Sequence, residues 1–583
     1  MSDAGEAENG LAWRVIEERG EVAVVERWRR FLRVARGEEP GDLLIRNSRM
    51  INVASNEVED TNVQIADGSI AGVGDYQEAK EEIDAAGAYL APAFIDGHVH
   101  VESSLLWMDQ FAKAVVPCGT GAIVTDPHEI ANVAGLDGIR ALMSASEALP
   151  VSMFFTIPSC VPASPFETAG AEMTTEAIAE GLALPRVVGL GEMMNFPGVL
   201  AGDESIFERL QLHASRRDGH APGVTGNDLN AYAGSGMTSD HESTALDEAR
   251  EKLRRGLMIM IREGSTEHNL VDLLPLVTDD TFPRCCFASD DRDCATLMHD
   301  GHIDAVIRKA VANGLDPVRA IRMATLHTAE YWRLTGHGMI APGYEANIVL
   351  FQQLDDIRPE LVLYQGRRVA ENGRALFDIS APIPDSLLDT VRIQPLVDSS
   401  LALSGSSPMD AVEAIPGQIV TRKISVEPRL EGSLAVSDVD RDLLKIATVE
   451  RHHLTGNVGL GLIRGFGLKR GALATSIAHD AHNIVCVGTN DADMLAAINA
   501  VVEMGGGLAA CDDGEIRGRL ALPVAGILSD QPLATVTRDY EAIEAIARSF
   551  GSGVPSPFGL LSFMALSVIP EARVTDQGFM SLV

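Results

Sequence analysis

Along the chain, apolar and polar positions change spacing at a few points, and each change marks a new kind of element. Residues 11–38 (LAWRVIEERGEVAVVERWRRFLRVARGE) have helical spacing with an arginine-rich polar side, which predicts one or two helices. From Asp42 the runs DLLIRNSRMINV and NVQIADGSIAGVGD read as short strands split by the turn residues Gly, Asn and Asp, as far as about residue 90. Short apolar runs then alternate with helical segments such as TALDEAREKLRRG. The strand candidates are APAFIDGHVH, AIVTDPHE, SMFFTIPSC, VVGLGEMM, the stretch before GHAPG, MTSDHES, LMIMIREGS and CCFASDDR. Strand–helix alternation over about 250 residues predicts a parallel sheet, and a (β/α)8 barrel fits the length. Residues 338–378 turn β-like again, 379–415 are Ser- and Pro-rich and read as a linker, and the remainder mixes strands with helices.

The fold class expected is therefore α/β. It comprises an N-terminal helical extension (1–41), a small β-sandwich domain assembled from 42–90 and 338–395, a TIM-like barrel (91–337) and a C-terminal α/β domain (396–583). A net charge of −36 would repel a phosphate backbone or an anionic membrane, so neither nucleic acid nor membrane is expected as a partner. The acidic N-terminus lacks the basic start and apolar stretch of a signal peptide. No apolar run reaches the roughly 18–20 residues a spanning helix needs. The seven cysteines include no CxxC pair and, being odd in number, suggest reduced thiols in the cytoplasm rather than a disulfide framework.

Chemistry enters at His98-x-His100, which follows an apolar strand. Residues i and i+2 of a strand share a face, so two imidazoles can converge on one metal ion. Further ligand-type residues follow at later strand ends: Glu192 after VVGLG, His220 in DGHAPG, His241 in SDHES and Asp290 after CCFAS. Each alone has a plainer reading: an arginine partner for Glu192, a loop cap for His220, a helix N-cap for Asp290. A barrel, however, gathers its strand ends at one mouth. Six such groups can hold two divalent ions, with Glu192 as the bridge. His128 and Glu129, ending the second strand, are candidates to face a substrate, with structural hydrogen bonding as the alternative. Asn195, Arg262 and Glu263 are candidates for support, and Asp291 and Arg292 for orienting Asp290. In the last domain His479 and His482 are expected near one another, at an extra metal site, in a hydrogen-bonded network or at the barrel mouth.

The chain resembles the amidohydrolase superfamily and, within it, the adenine deaminase family. The motifs that carry the resemblance include IDGHVHVESS, TDPHEIANV, PSCVPA, GLGEMMNFPGV, DGHAPG, SDHES, IREGS, SDDR and GFGLKRGALATSIAHDAHNIVCVG, spread from about residue 42 to the end. The resemblance implies hydrolysis of adenine to hypoxanthine and ammonia in purine salvage, by a hydroxide held between two ions. His98, His100 and Asp290 would bind one ion, His220 and His241 the other, and Glu192 would bridge them. Asp290 would move protons, Glu242 would serve ring nitrogen N1 or grip the ring edge, and His128, Glu129, Asn195, His479 and His482 would help bind substrate. Relatives that cleave cyclic amides often bridge their ions with a carbamylated lysine. Here the only lysines between His98 and Asp290 are Lys113 and Lys252, both in predicted helices. The metals implied are manganese or iron, with zinc as an alternative, and the assembly implied is a homodimer or higher oligomer. Another amidohydrolase reaction, on a different base or a cyclic amide, and a non-catalytic binding protein on the same barrel are the competing readings.

Overall fold

A computed structural model describes residues 21–415 and 420–582. Of the N-terminal helical stretch, Glu21–Ala35 is one helix, while residues 11–20 lie outside the described residues. The helix lays Phe31 and Val34 on Ala66 and Ala71 of the small sheet. Arg30 ties it down through Asp42 (2.7 Å) and Asp67 (2.9 Å).

Eight strands form the barrel: Phe94–Val99, Thr120–Thr125, Ser152–Ile157, Val187–Met193, Arg217–Gly219, Ser239–Asp240, Met258–Arg262 and Cys285–Ala288. They coincide with the eight strand candidates read from the sequence, and their paired registers are parallel. Thr238 N–H donates to Arg217 O (2.9 Å) between the fifth and sixth strands. Asp290 N–H to His98 O (3.0 Å) and His100 N–H to Asp290 O (3.1 Å) join the eighth strand to the first. The ring therefore closes and has no free edge. Burial on both faces explains the near-continuous apolar runs. Alternate residues still sort into two cores. Ile95, Ala122, Val124, Met258, Met260, Cys286 and Ala288 pack with Trp332. Their strand neighbours Ile123, Ile259, Ile261 and Phe287 join the larger core that holds the helical Ile139, Leu142 and Ile307.

The β segments on either side of the barrel share one nine-stranded sheet, in which Tyr89–Pro92 runs antiparallel to Ile348–Phe351. The last part of the chain is built on an eight-stranded sheet covered by the helices Asp491–Glu503 and Leu533–Ser549. The stretch read as a linker ends inside that sheet: Met409–Ala414 pairs antiparallel with Thr421–Val426. Its acidic and alanine residues disguise a strand whose Ala411 and Val412 are buried. This unit sits on the barrel mouth. Asp576 accepts from Thr168 N–H (3.0 Å), Asn483 Nδ2 donates to Thr168 O (2.9 Å), and Ser529 N–H donates to Leu105 O (2.8 Å). Among the described residues no helix is long and apolar enough to cross a membrane, and all seven cysteines are free thiols.

Candidate metal centre and active site

The strand ends deliver their side chains to one point. His98 Nδ1 lies 2.7 Å from Asp218 Oδ2, and His100 Nδ1 lies 2.8 Å from the carbonyl of Asp126. Both partners are acceptors, so both Nδ1 atoms carry hydrogen and both Nε2 lone pairs point inward. Those two Nε2 atoms are 3.1 Å apart. Glu192 Oε1 stands 3.8 Å from His98 Nε2 and 3.3 Å from His100 Nε2, and Asp290 Oδ1 stands at 3.5 and 3.1 Å. Four acceptors converging in a buried pocket repel one another unless a cation lies among them. Burial opposes charge on His98 and His100, yet the surrounding carboxylates, Asp218 and Asp290 foremost, hold both pKa values well above the usual imidazole value. The surroundings call for positive charge at this point, and a divalent ion fits the donor set.

The other oxygen of Glu192 faces a second group. Its Oε2 lies 2.6 Å from His220 Nδ1 and 3.3 Å from His241 Nε2. The His98 and His241 rings stack at 4.0 Å, which brings the two groups together around one carboxylate. Asp126 Oδ2 fixes Glu192 by accepting its backbone N–H (2.7 Å). Neither lysine between His98 and Asp290 takes this carboxylate's role. Lys113 pairs with Asp378 (3.0 Å), and the buried Lys252 pairs with Asp240 and Glu248 (both 2.8 Å).

Asp290 adopts φ 56°, a left-handed conformation that Asp tolerates, just beyond the eighth strand. Its Oδ2 accepts from Arg262 Nη1 (2.8 Å), leaving Oδ1 to face the imidazoles. Burial raises its pKa, but the guanidinium and the two histidines outweigh that and hold it well below the ordinary carboxylate range. The same Arg262 Nη1 pairs with Glu242 Oε1, so one guanidinium grips both carboxylates expected to move protons. Arg292, expected to orient Asp290, instead donates to the carbonyls of Glu263 and His302 (both 3.2 Å) and clamps a loop.

The structure redistributes the expected substrate-binding residues. His128 Nδ1 lies 3.3 Å from Glu192 Oε1 and its Nε2 3.2 Å from Glu129 Oε1, which puts it beside the centre. Glu129 is gripped by His479 Nδ1 and His482 Nε2 from the C-terminal unit. His482 Nδ1 accepts from Ala478 N–H (3.2 Å), so its Nε2 carries hydrogen and has no lone pair for a metal. Glu129, His479 and His482 thus form a hydrogen-bonded network that ties the C-terminal unit to the barrel. The side-chain oxygen of Asn195 caps the helix Phe196–Ala201 by accepting from Gly198 N–H (3.0 Å). Sequence reading placed His479 at the barrel mouth as one alternative but assigned no role to Asp126, Asp218, Glu267 or the apolar residues of the cleft's roof. Asp126 and Asp218 do stand beside the ligands in TDPHE and DGH. The roof is formed by Phe563, Leu566, Val568 and Ile569 together with His479 and Asp480.

A closed eight-stranded barrel with histidines and carboxylates converging at the carboxyl ends of its strands defines a hydrolase of the amidohydrolase class. The model of the amidohydrolase family matches residues 89–369, and that of the adenine deaminase C-terminal domain matches residues 418–583. An adenine deaminase of Dehalococcoides mccartyi is 52% identical over 553 residues, 94% of this chain and 97% of its own. Adenine deaminase 2 of Carboxydothermus hydrogenoformans is 43% identical with the same coverage, and the adenine deaminase of Syntrophobacter fumaroxidans is 44% identical over 561 residues, 95% of this chain and 97% of its own. The chain belongs to the adenine deaminase family.

Proposed function

We propose that this protein is an adenine aminohydrolase that converts adenine and water to hypoxanthine and ammonia, in purine salvage in the cytoplasm. The observation that carries the reading is the convergence of His98, His100, His220 and His241 on the two oxygens of Glu192, with Asp290 facing the first two. His98, His100 and Asp290 would hold one divalent ion and His220 and His241 the other, with Glu192 between them. The mixed imidazole and carboxylate donors suit manganese or iron, and zinc is compatible. When bound, the ions supply Lewis acidity that brings the pKa of a water molecule toward neutrality.

The chain's own residues do the rest. Water adds to C6 and the C6–amine bond breaks. One of the water's two protons ends on N1 and the other on the departing ammonia. Asp290, whose Oδ1 faces the imidazoles of His98 and His100, would carry one of them, and Glu242, beside it on Arg262, the other. His128 and Glu129 border the purine, with His479 and His482 holding Glu129 in place. The apolar roof of Phe563, Leu566, Val568 and Ile569 limits the access of bulk water to the reaction. Homo-oligomerisation, as a dimer or larger, belongs to the same proposal.

Ammonia release and the appearance of hypoxanthine on incubation with adenine test the reading, with Asp290→Asn as control. Full activity on adenine is expected, with a loss of about three to four orders of magnitude in the variant. Hydrolysis of a cyclic amide with no action on adenine would overturn it.

A further inference from the structure

The cleft has two unlike halves. The barrel supplies the polar floor, and the C-terminal unit supplies the roof. Phe563 stacks on the His479 ring at 4.6 Å and 11°, making a flat aromatic wall. Backbone bonds hold that wall to the loop that follows: His479 N–H donates to Ser562 O (2.9 Å) and Val574 N–H to Met564 O (3.3 Å). Asp480, next to the wall, is 2% exposed, and its Oδ2 has no hydrogen-bond partner. A buried acceptor without a donor is destabilising and marks a place where a ligand can bond. Burial pushes its pKa up to about 6, so at neutral pH it is still an anion needing a donor.

The position fits one edge of a purine. A single imidazole ring, His128, separates Asp480 from the bridging carboxylate: its Nδ1 is 3.3 Å from Glu192 Oε1 and its Nε2 3.7 Å from Asp480 Oδ1. A purine with C6 at the metal centre directs its five-membered ring away from that centre, on the scale of this separation. A free base carries an N–H on that ring. An N-glycosylated or N-alkylated base has a substituent there instead.

We propose that Asp480 selects free bases over nucleosides by accepting the imidazole-ring N–H of the purine, so that the C-terminal unit is the specificity half of the active site. This rests on the deaminase reading of the same cleft. A site built to bond an N–H rejects an analogue that lacks it, because the buried acceptor stays unpaired.

The test compares adenine with 9-methyladenine as substrates for the wild-type protein, Asp480→Ala and Asp480→Asn, with metal content measured alongside. In Asp480→Ala, kcat/KM for adenine is expected to fall about 10- to 100-fold, chiefly through KM. The residual rate on 9-methyladenine should stay level or rise, and metal content should not change. Asp480→Asn, whose amide oxygen still accepts, should recover part of the loss. It also serves as the readout if the alanine variant does not fold. A ratio of adenine to 9-methyladenine turnover unchanged in the folded variants overturns the role of Asp480 and leaves the deaminase reading intact. Absence of adenine turnover by the wild type overturns that reading and the role of Asp480 with it.

Discussion

Asp218 holds His98 from behind, and replacing it with Asn tests whether that contact sets metal affinity. The carboxylate is fully buried. Its Oδ2 faces His98 Nδ1 at 2.7 Å, while Oδ1 accepts from Ser239 Oγ (2.5 Å) and Gly219 N–H (3.0 Å). An amide cannot satisfy both sides. With its oxygen toward Gly219, its NH2 meets the Nδ1–H of His98 and drives the imidazole to the tautomer whose Nε2 carries hydrogen, which removes the metal donor. With its oxygen toward His98, the NH2 opposes the Gly219 N–H, and only Ser239 can turn to accommodate it. Loss of one charge-assisted bond is worth about 1.5–3 kcal/mol. That range corresponds to roughly the 10- to 100-fold drop in metal affinity seen when such outer partners are changed. The assay is competition for the ion against a chromophoric chelator, followed by kcat at saturating metal. Weaker binding with most of the rate restored by excess metal is expected. A folded Asp218→Asn protein with wild-type metal affinity would refute the reasoning.

Two further outcomes follow from buried charges away from the reacting atoms. Glu167 is buried with one oxygen unpartnered, and burial pushes its pKa up to about 8. Its folded pKa lies above the unfolded value, so wild-type stability is full below about pH 4.5 and declines as pH rises through about 8. Glu167→Gln should therefore melt higher than wild type at pH 8, by an amount on the order of a few kcal/mol, with the gap closing toward pH 5; melting curves across that range check it. Lys252→Met should cost about 3–5 kcal/mol in denaturant unfolding, because it strands the buried Asp240 beside His241. An unfolding midpoint equal to wild type would contradict that.

The barrel was legible because strand candidates alternate with helical segments and most of them end on a ligand-type residue. His98-x-His100 could be read as a ligand pair from period two alone. The partners behind the ligands were not legible for a physical reason. Asp218 is two residues from His220 yet serves His98, 120 residues away, and only the closed ring brings them together. Arg262 was expected in support, but that it bridges Asp290 and Glu242 depends on adjacent strands in register. The cap that Asn195 makes was not legible, because a residue just past a strand end reads equally as a site residue or as a helix N-cap. The apolar part of the roof was hidden because a stretch such as LLSFMALSVI (560–569) reads as ordinary core, and nothing local says that it covers a mouth built by a much earlier part of the chain.

The most direct test is metal analysis of protein purified without chelator, alongside its rate of adenine deamination. Two divalent ions per chain are expected, falling in Glu192→Gln together with activity, because both groups of imidazoles lean on that one side chain. A protein that deaminates adenine at full rate after exhaustive chelation, with no divalent ion detectable, would contradict a metal pair as the heart of the site.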